Sequence, residues 1–300
     1  MSRTSAVHTL WFAPRHACGG ASVAMEDFEV LTMALSALLW RRCNGMIRLH
    51  ADASAAEFCN AHGLLELWDG GITSVAFERG VPDIDPVQFW AAGKILALAH
   101  ESAPCALVDT DLIVWEHLCE LDSRPNLVVA HLEASDRYPY VAPGTLQKPR
   151  GYSFDSEWSW RQPACNTAFA YFGSDDLRRL YTSESLRFMH GNWPQASDTV
   201  THMVFAEQRL LGECAAKLGS AVGCLLPEDQ DIRERQRRIT HLWGTKQRLR
   251  CDEAARRRYC LRCVRRLLVE FPATRALLGD IPFLTPYVDA VERASTCRVL

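Results

Sequence analysis

Two carboxylates set one residue apart, Asp109 and Asp111, are the residues of this chain best placed to do chemistry. They end the stretch Pro104-Cys105-Ala106-Leu107-Val108, which is apolar from Cys105 to Val108 and reads as a buried strand. Side chains of a strand alternate faces, so residues two apart point the same way and the two carboxylates can converge just past the strand. Such a pair suits a hard divalent cation, Mg²⁺ or Mn²⁺, which prefers oxygen donors and often bridges to a substrate phosphate. The carboxyl ends of strands in an open α/β sheet are also where ligands bind. In a random loop an Asp-x-Asp is usually solvated turn chemistry, so its weight depends on the elements around it.

Those elements alternate. His8–Ala13 reads as a first strand, followed by a loop from Pro14 to Ser22 with Gly19-Gly20. Met25–Cys43 is a helix, because Phe28, Leu31, Leu35, Leu38 and Leu39 recur at three- and four-residue steps and Asp27 and Glu29 sit in its first turn. Met46–His50 is a second strand, and Ser54, with Glu57 three residues on, reads as the capping box of a helix reaching about His62. Ser74–Phe77 is a short third strand, and Pro86–His100 an apolar helix with one conspicuous cation, Lys94. Strand and helix in alternation imply a mostly parallel sheet with helices on both faces.

Beyond the aspartates, Asn126–His131 and Cys165–Phe172 are strands, the second starting on the polar pair Asn166-Thr167. Between them Asp136–Gln162 is a long loop rich in Tyr, Pro, Gly, Ser and Trp, and loops of that length in compact domains are often lids or binding loops. Ser174–Tyr181 and Asp198–Leu218 are helices, the latter carrying Glu207-Gln208. From Arg233 to Arg266 there are twelve arginines and Lys246 against Glu234, Asp252 and Glu253. Asp252–Phe271 is helical in pattern, with Cys260, Cys263, Val264, Leu267, Leu268 and Phe271 on one face. A basic amphipathic helix can lie on anionic lipid, or pack its apolar side on the domain and leave a solvated cationic face. The arginines lack an interleaved aromatic platform, which argues against specific nucleic-acid recognition. Cys260-x-x-Cys263 is half of a zinc site with no matched pair nearby.

Three hundred residues at 48% hydrophobic content suffice for one large domain with an appendage. A formal charge of −3 argues for no particular partner. No window approaches the roughly 20 apolar residues of a membrane span, and Met1-Ser2-Arg3-Thr4-Ser5 does not read as a signal peptide. Twelve cysteines, among them Cys43, Cys59, Cys105, Cys119, Cys214 and Cys224 in apolar company, point to a reduced, cytoplasmic protein.

Four islands, in order, resemble the family 8 glycosyltransferases, the glycogenin and lipopolysaccharide-galactosyltransferase group of the GT-A fold. They are Lys94-Ile95-Leu96 leading to Leu107-Val108-Asp109-Thr110-Asp111-Leu112; Asn166-Thr167-Ala168-Phe169; Glu207-Gln208-Arg209-Leu210-Leu211; and His241-Leu242-Trp243-Gly244-Thr245-Lys246. Together they cover roughly residues 90 to 246. The chain differs from the family pattern at Ala168 for Gly and Glu207 for Asp, and in a His241–Lys246 spacing shorter by one with no Pro-Trp after it. Pro14-Arg15-His16 also follows the first strand, where the family typically holds its nucleobase with an acidic residue.

The resemblance implies a GT-A-like catalytic domain over 1–246 and an Arg-rich helical extension over 247–300. It implies a metal-dependent, retaining transfer from a nucleotide-diphosphate sugar, a UDP-sugar above all, to a glycan, lipid-linked or small-molecule acceptor. Asp109, Asp111 and His241 would hold Mn²⁺ or Mg²⁺; Lys94, Thr110 and Lys246 would line the diphosphate. Gln208 and Asn166, whose amides both donate and accept, would meet sugar hydroxyls alongside Lys246. Tyr138, Tyr140, Trp158 and Trp160 would stack on an acceptor sugar, Gly244 would let the backbone come close, and residues 252–271 would touch anionic membrane from the cytoplasmic side. Two other classes compete: a degenerate sugar-nucleotide or partner-binding domain, and a haloacid-dehalogenase-type phosphatase with Asp109 as nucleophile.

Overall fold

The structure, a computed structural model, describes residues 3–19, 25–78, 83–136, 138–194, 198–226 and 237–296. Gly20 to Ser22 of the expected first loop, and Arg233 and Arg235 of the basic tract, lie outside the described residues. The order runs β1 (Ser5–Leu10), α1 (Ala13–Ala17), α2 (Asp27–Cys43), β2 (Ile47–Ala51), α3 (Ala53–Ala61), β3 (Ile72–Thr73), α4 (Val75–Glu78), α5 (Ala92–Ala99), β4 (Cys105–Val108) and β5 (Leu112–Val114). It continues with β6 (Leu127–Glu133), β7 (Ala164–Phe172), α6 (Asp175–Met189), α7 (Thr201–Val204), α8 (Leu210–Lys217), β8 (Val222–Cys224) and β9 (Ile239–His241). Helices α9 (Lys246–Cys251), α10 (Glu253–Glu270), α11 (Thr274–Asp280) and α12 (Thr285–Thr296) complete it.

Seven strands form one sheet in the order β3-β2-β1-β4-β7-β6-β8. Every neighbouring pair is parallel except β4–β7 and β6–β7, so β7 alone runs backwards. This is the mostly parallel sheet flanked by helices that the alternation of strands and helices implies. Strand alternation divides the core: Ala6, Ala106 and Val108 join the side chains of α2 on one face, while Val7, Cys105 and Leu107 join those of α5, α6 and α8 on the other. Helix α2 is buried along nearly its whole length, which is why it is apolar almost all round. Its two buried hydroxyls have partners: Ser36 Oγ donates to the Leu112 carbonyl at 2.5 Å, and Thr32 Oγ1 lies 2.8 Å from the Tyr259 hydroxyl. The apolar side of α10, from Cys260 through Leu267, packs in the same cluster as α2. Burial pushes the Cys263 thiol up to about 12 and Cys260 higher still, as for small hydrophobes in the core, and among the described residues the one cluster with metal-ligand geometry is Asp109, Asp111 and His241. No disulfide joins the described cysteines, and no described helix is long and apolar enough to cross a membrane.

Several local expectations are corrected. The expected strand Ser74–Phe77 is instead a turn of helix, with Ser74 Oγ donating to Glu78 Oε1 at 2.6 Å, and the strand lies just before it at Ile72–Thr73. A four-residue apolar run carries too little periodicity to separate the two states. The helix expected from Pro86 begins at Ala92, after a series of turns that Asp85 starts by accepting from the Val87 amide at 2.9 Å. Cys119, expected in apolar company, is exposed. The cap of α3 is Asp52 and not Ser54: its Oδ1 accepts from the Ala55 amide at 2.9 Å, and its Oδ2 from Phe12 and Ala13 at 2.7 and 3.1 Å. One carboxylate thus caps a helix and pins the loop that leaves β1. Asp52→Ala should cost about 1–2 kcal/mol, read as a lower denaturant midpoint at unchanged slope, because it strips a cap and leaves loop amides without their acceptor.

Candidate functional site

Strand β4 ends at Val108, and the Asp109 amide still donates to the Ala168 carbonyl of β7 at 2.9 Å. A tight turn then closes, with the Leu112 amide donating to the Asp109 carbonyl at 3.0 Å, and β5 leaves the sheet. It pairs antiparallel with β9 in a two-stranded ribbon whose register sets Leu112 opposite His241. The Leu242 amide donates to the Asp111 carbonyl at 3.1 Å. That ribbon carries a residue 130 positions downstream (241 − 111) back to the end of β4. Asp109, Asp111 and His241 each offer a ligand atom there, all within 4.8 Å of one another.

Basic side chains crowd the same carboxylates. Lys246 Nζ lies 2.7 Å and His241 Nε2 3.6 Å from Asp111 Oδ2, which is buried and has no aligned hydrogen bond. Burial pushes the Asp111 carboxyl up, but His241 and Lys246 outweigh it and hold the group well below the usual carboxylate range. Lys94 Nζ sits 2.8 Å from Asp109 Oδ1 and also pairs with Glu207 Oε1, to which Thr167 Oγ1 donates at 2.6 Å. Burial would lower the Lys94 ammonium; Asp109 and Glu207 together raise it above its ordinary value. Asp109 is raised by burial, against the pull of Lys94. Two carboxylate oxygens and an imidazole nitrogen form a donor set suited to Mn²⁺ or Mg²⁺, and the poorly satisfied Asp111 Oδ2 has lone pairs to give.

Beside this cluster a cleft of about 220 Å³ is lined by Lys94, Asp109, Thr110, Asp111 and Lys246 together with Trp11, Phe12, Arg15 and Trp90. Gly93 lets α5 approach: a Cβ there would come within 2.7 Å of the Trp11 Cβ. Gly244 has no such role, since a Cβ would meet nothing within 4 Å. Arg15 is held by Glu29, which also receives Arg250 of α9.

Gln208 and Asn166 are not among the cleft's lining residues and belong to a second polar cluster. Asn166 Nδ2 donates to Glu133 Oε1 at 2.9 Å, and the Tyr140 hydroxyl lies 3.0 Å from Glu133 Oε2 and 2.5 Å from Gln208 Oε1. Hydrogen bonding from His131, with further bonds from Asn166 and Tyr140, draws the Glu133 carboxyl down to about 2.

The aromatic loop is corrected. Trp158 is buried, and Phe154, Trp158, Trp160 and Phe205 pack ring against ring, so these tryptophans are core and not a stacking platform. Tyr140 is buried as well, and of the four aromatics proposed for acceptor stacking only Tyr138 is well exposed. The loop is pinned by α8 and the residues before it: buried Arg209 donates to the Ser135 and Trp160 carbonyls at 2.8 and 3.1 Å, and Glu213 Oε2 accepts from the Ser159 amide at 3.1 Å.

Glu207 is the residue that sequence reasoning undervalued. It lies in a widened π-helical turn, Phe205–Arg209, that interrupts the expected helix, and it is 2% exposed. The signal was present: acidic residues in a largely apolar helix, Glu207 and Glu213, and one cation, Lys94, on another must find partners when buried.

A family model described as "Family of unknown function (DUF6734)" matches residues 5–274. The chain belongs to that family. No curated protein matches it in sequence. Among solved structures, this DUF6734 member is similar to mouse xyloside xylosyltransferase 1 in its apo form, at 11% identity and a TM-score of 0.38, over 80% of this chain and 97% of that one.

Titration calorimetry with Mn²⁺ should show one site, weakened at least about tenfold by Asp109→Asn, Asp111→Asn or His241→Ala, with the unfolding midpoint of each variant close to that of the parent. Lys94→Met should behave differently. It leaves Asp109 and Glu207 buried without their cation and should cost about 3–5 kcal/mol of stability, read by chemical denaturation.

Proposed function

We propose that this chain is a metal-dependent glycosyltransferase that uses a nucleotide-diphosphate sugar. One observation carries the reading: Asp109, Asp111 and His241 offer three ligand atoms within 4.8 Å at the carboxyl edge of the sheet, with Lys94 and Lys246 against the same carboxylates. Transfer breaks the bond between the anomeric carbon and a diphosphate, so charge grows on the leaving group and cations must be aimed at it. A divalent ion held by the three ligands would supply Lewis acidity to the diphosphate oxygens. Lys246 would turn from Asp111 toward that diphosphate, while Lys94, tied by Glu207 as well, keeps Asp109 oriented. Trp11 and Trp90 line the cleft and would supply aromatic surface for stacking a nucleobase. Asn166 and Gln208, with Glu133 and Tyr140, offer donors and acceptors for the hydroxyls of the transferred sugar or its acceptor.

The finer reading follows the family 8 likeness: a UDP-sugar donor, retention at the anomeric carbon, and a glycan, lipid-linked or small-molecule acceptor. Residues 1–246 would form the catalytic unit and 247–300 its helical extension, in a cytoplasmic enzyme. Membrane contact through 252–271 would rest on arginines alone, because the apolar side of that helix is used against α2. The lysines already seated on both aspartates favour one second reading, a domain that binds the donor without transferring its sugar.

Release of free nucleoside diphosphate from UDP-, GDP- and dTDP-sugars, with Mn²⁺ and with a chelator, separates the two. Catalysis predicts Mn²⁺-dependent release from a UDP-sugar, lowered at least about 100-fold in Asp111→Asn. Saturable binding without release supports the binding domain, and release that ignores both chelator and Asp111→Asn contradicts the site.

A further inference from the structure

A second concavity, about 550 Å³ in volume and sharing no lining residue with the cleft, lies between the β5–β9 ribbon and α10. Its wall is apolar: Leu35, Ile113 and Cys263 are buried, and Trp115 is half-buried, its indole donating to Thr240 Oγ1 at 2.8 Å. Val269, 73% exposed, stands at its mouth. Three arginines of α10, Arg262, Arg265 and Arg266, share that mouth. Arg266 lies over the Trp115 ring and pairs with Glu270, the carboxylate of the lining, which also holds Arg42 at 2.6 Å. Arg262 and Arg265 are exposed, and among the described residues no carboxylate forms an ion pair with either.

We propose that this groove binds a single anionic amphiphile, its aliphatic chain against Trp115, Tyr259 and Val269 and its acidic head between Arg262 and Arg265. The volume falls in the range of about 300–1,000 Å³ typical of small-molecule pockets, which are largely apolar with a few placed polar groups. The charge at the mouth selects the head: with Glu270 already shared by two arginines, the remaining cations complement a carboxylate or a phosphate monoester. The shape selects one molecule over a bilayer surface. The apolar side of α10 is already packed on α2, and a concave groove accepts a chain where a membrane needs a protruding apolar surface. The occupant would lie against Trp115 and Thr240, which hydrogen-bond to each other beside the ribbon that carries Asp111 and His241, so it would also brace those strands. The site itself is independent of what the aspartates do.

The test is titration of the full chain with monomeric dodecanoate and with dodecanol, followed by Trp115 fluorescence against a Trp115→Phe blank and by calorimetry. The double variant Arg262→Gln/Arg265→Gln, exposed and made of good helix formers, should keep the parent's unfolding midpoint. The proposal expects saturable binding of one dodecanoate, about tenfold tighter than dodecanol and weakened about tenfold in the double variant, with Val269→Asp weakening it similarly. Equal affinity for acid and alcohol, no change in the double variant, or no saturable binding would each overturn it. Binding only to phosphatidylglycerol vesicles, with none to monomeric dodecanoate, would overturn it in favour of a membrane-facing surface.

Discussion

Three carboxylates, Asp109, Asp111 and Glu207, are brought to the partly buried end of one strand, and the surrounding structure must neutralise them. Charges within 4.8 Å, as the ligand atoms of Asp109 and Asp111 are, repel by about 3–4 kcal/mol at an effective dielectric of about 20. The fold meets this with three bases from three elements. Lys94 comes from α5 and bridges Asp109 and Glu207; His241 comes from β9, and Lys246 from the start of α9. Each lies far from the aspartates in sequence, so the cluster exists only once the sheet, the ribbon and the π-helical turn are all in place.

This arrangement also explains the architecture around it. The ribbon is short, and by itself a two-stranded pair is marginal. It persists because Ser36 on the most buried helix holds the Leu112 carbonyl, and because α10 covers its outer side. Arg250 and Arg256 then tie α9 and α10 to Glu26, Asp27 and Glu29 at the start of α2. Arg15, at the cleft, shares Glu29 with Arg250, so the C-terminal helices and the cleft draw on one set of carboxylates.

The alternation of strands and helices, and so the parallel sheet, was legible in the sequence because buried strands such as Cys105–Val108 are uniformly apolar and α2 repeats at helical steps. The convergence of Asp109 and Asp111 was expected from strand alternation, but the structure reaches it through the tight turn Asp109–Leu112 that follows Val108. The return of His241 did not: strand pairing across 130 residues is set by tertiary packing, and only the resemblance pointed to it. Asp52 was passed over because a cap two residues earlier leaves the same helix, and its service to the loop after β1 is a tertiary contact. The tryptophans misled for a plain reason. Aromatic side chains at close spacing in a polar loop serve equally as a binding platform or as the loop's own core, and Phe205 and Arg209, remote in sequence, decided for the core.

The proposed activity requires that Asp109, Asp111 and His241 ligate the same cation. Crystals of the full chain grown with Mn²⁺ and UDP, with diffraction recorded on either side of the manganese absorption edge, test it most directly. Ligation by all three requires one strong anomalous peak within ligand distance, about 2.0–2.3 Å, of an oxygen from each aspartate and a nitrogen of His241, with Lys246 moved off Asp111. A peak elsewhere, or none while Lys246 still sits on Asp111, would contradict it.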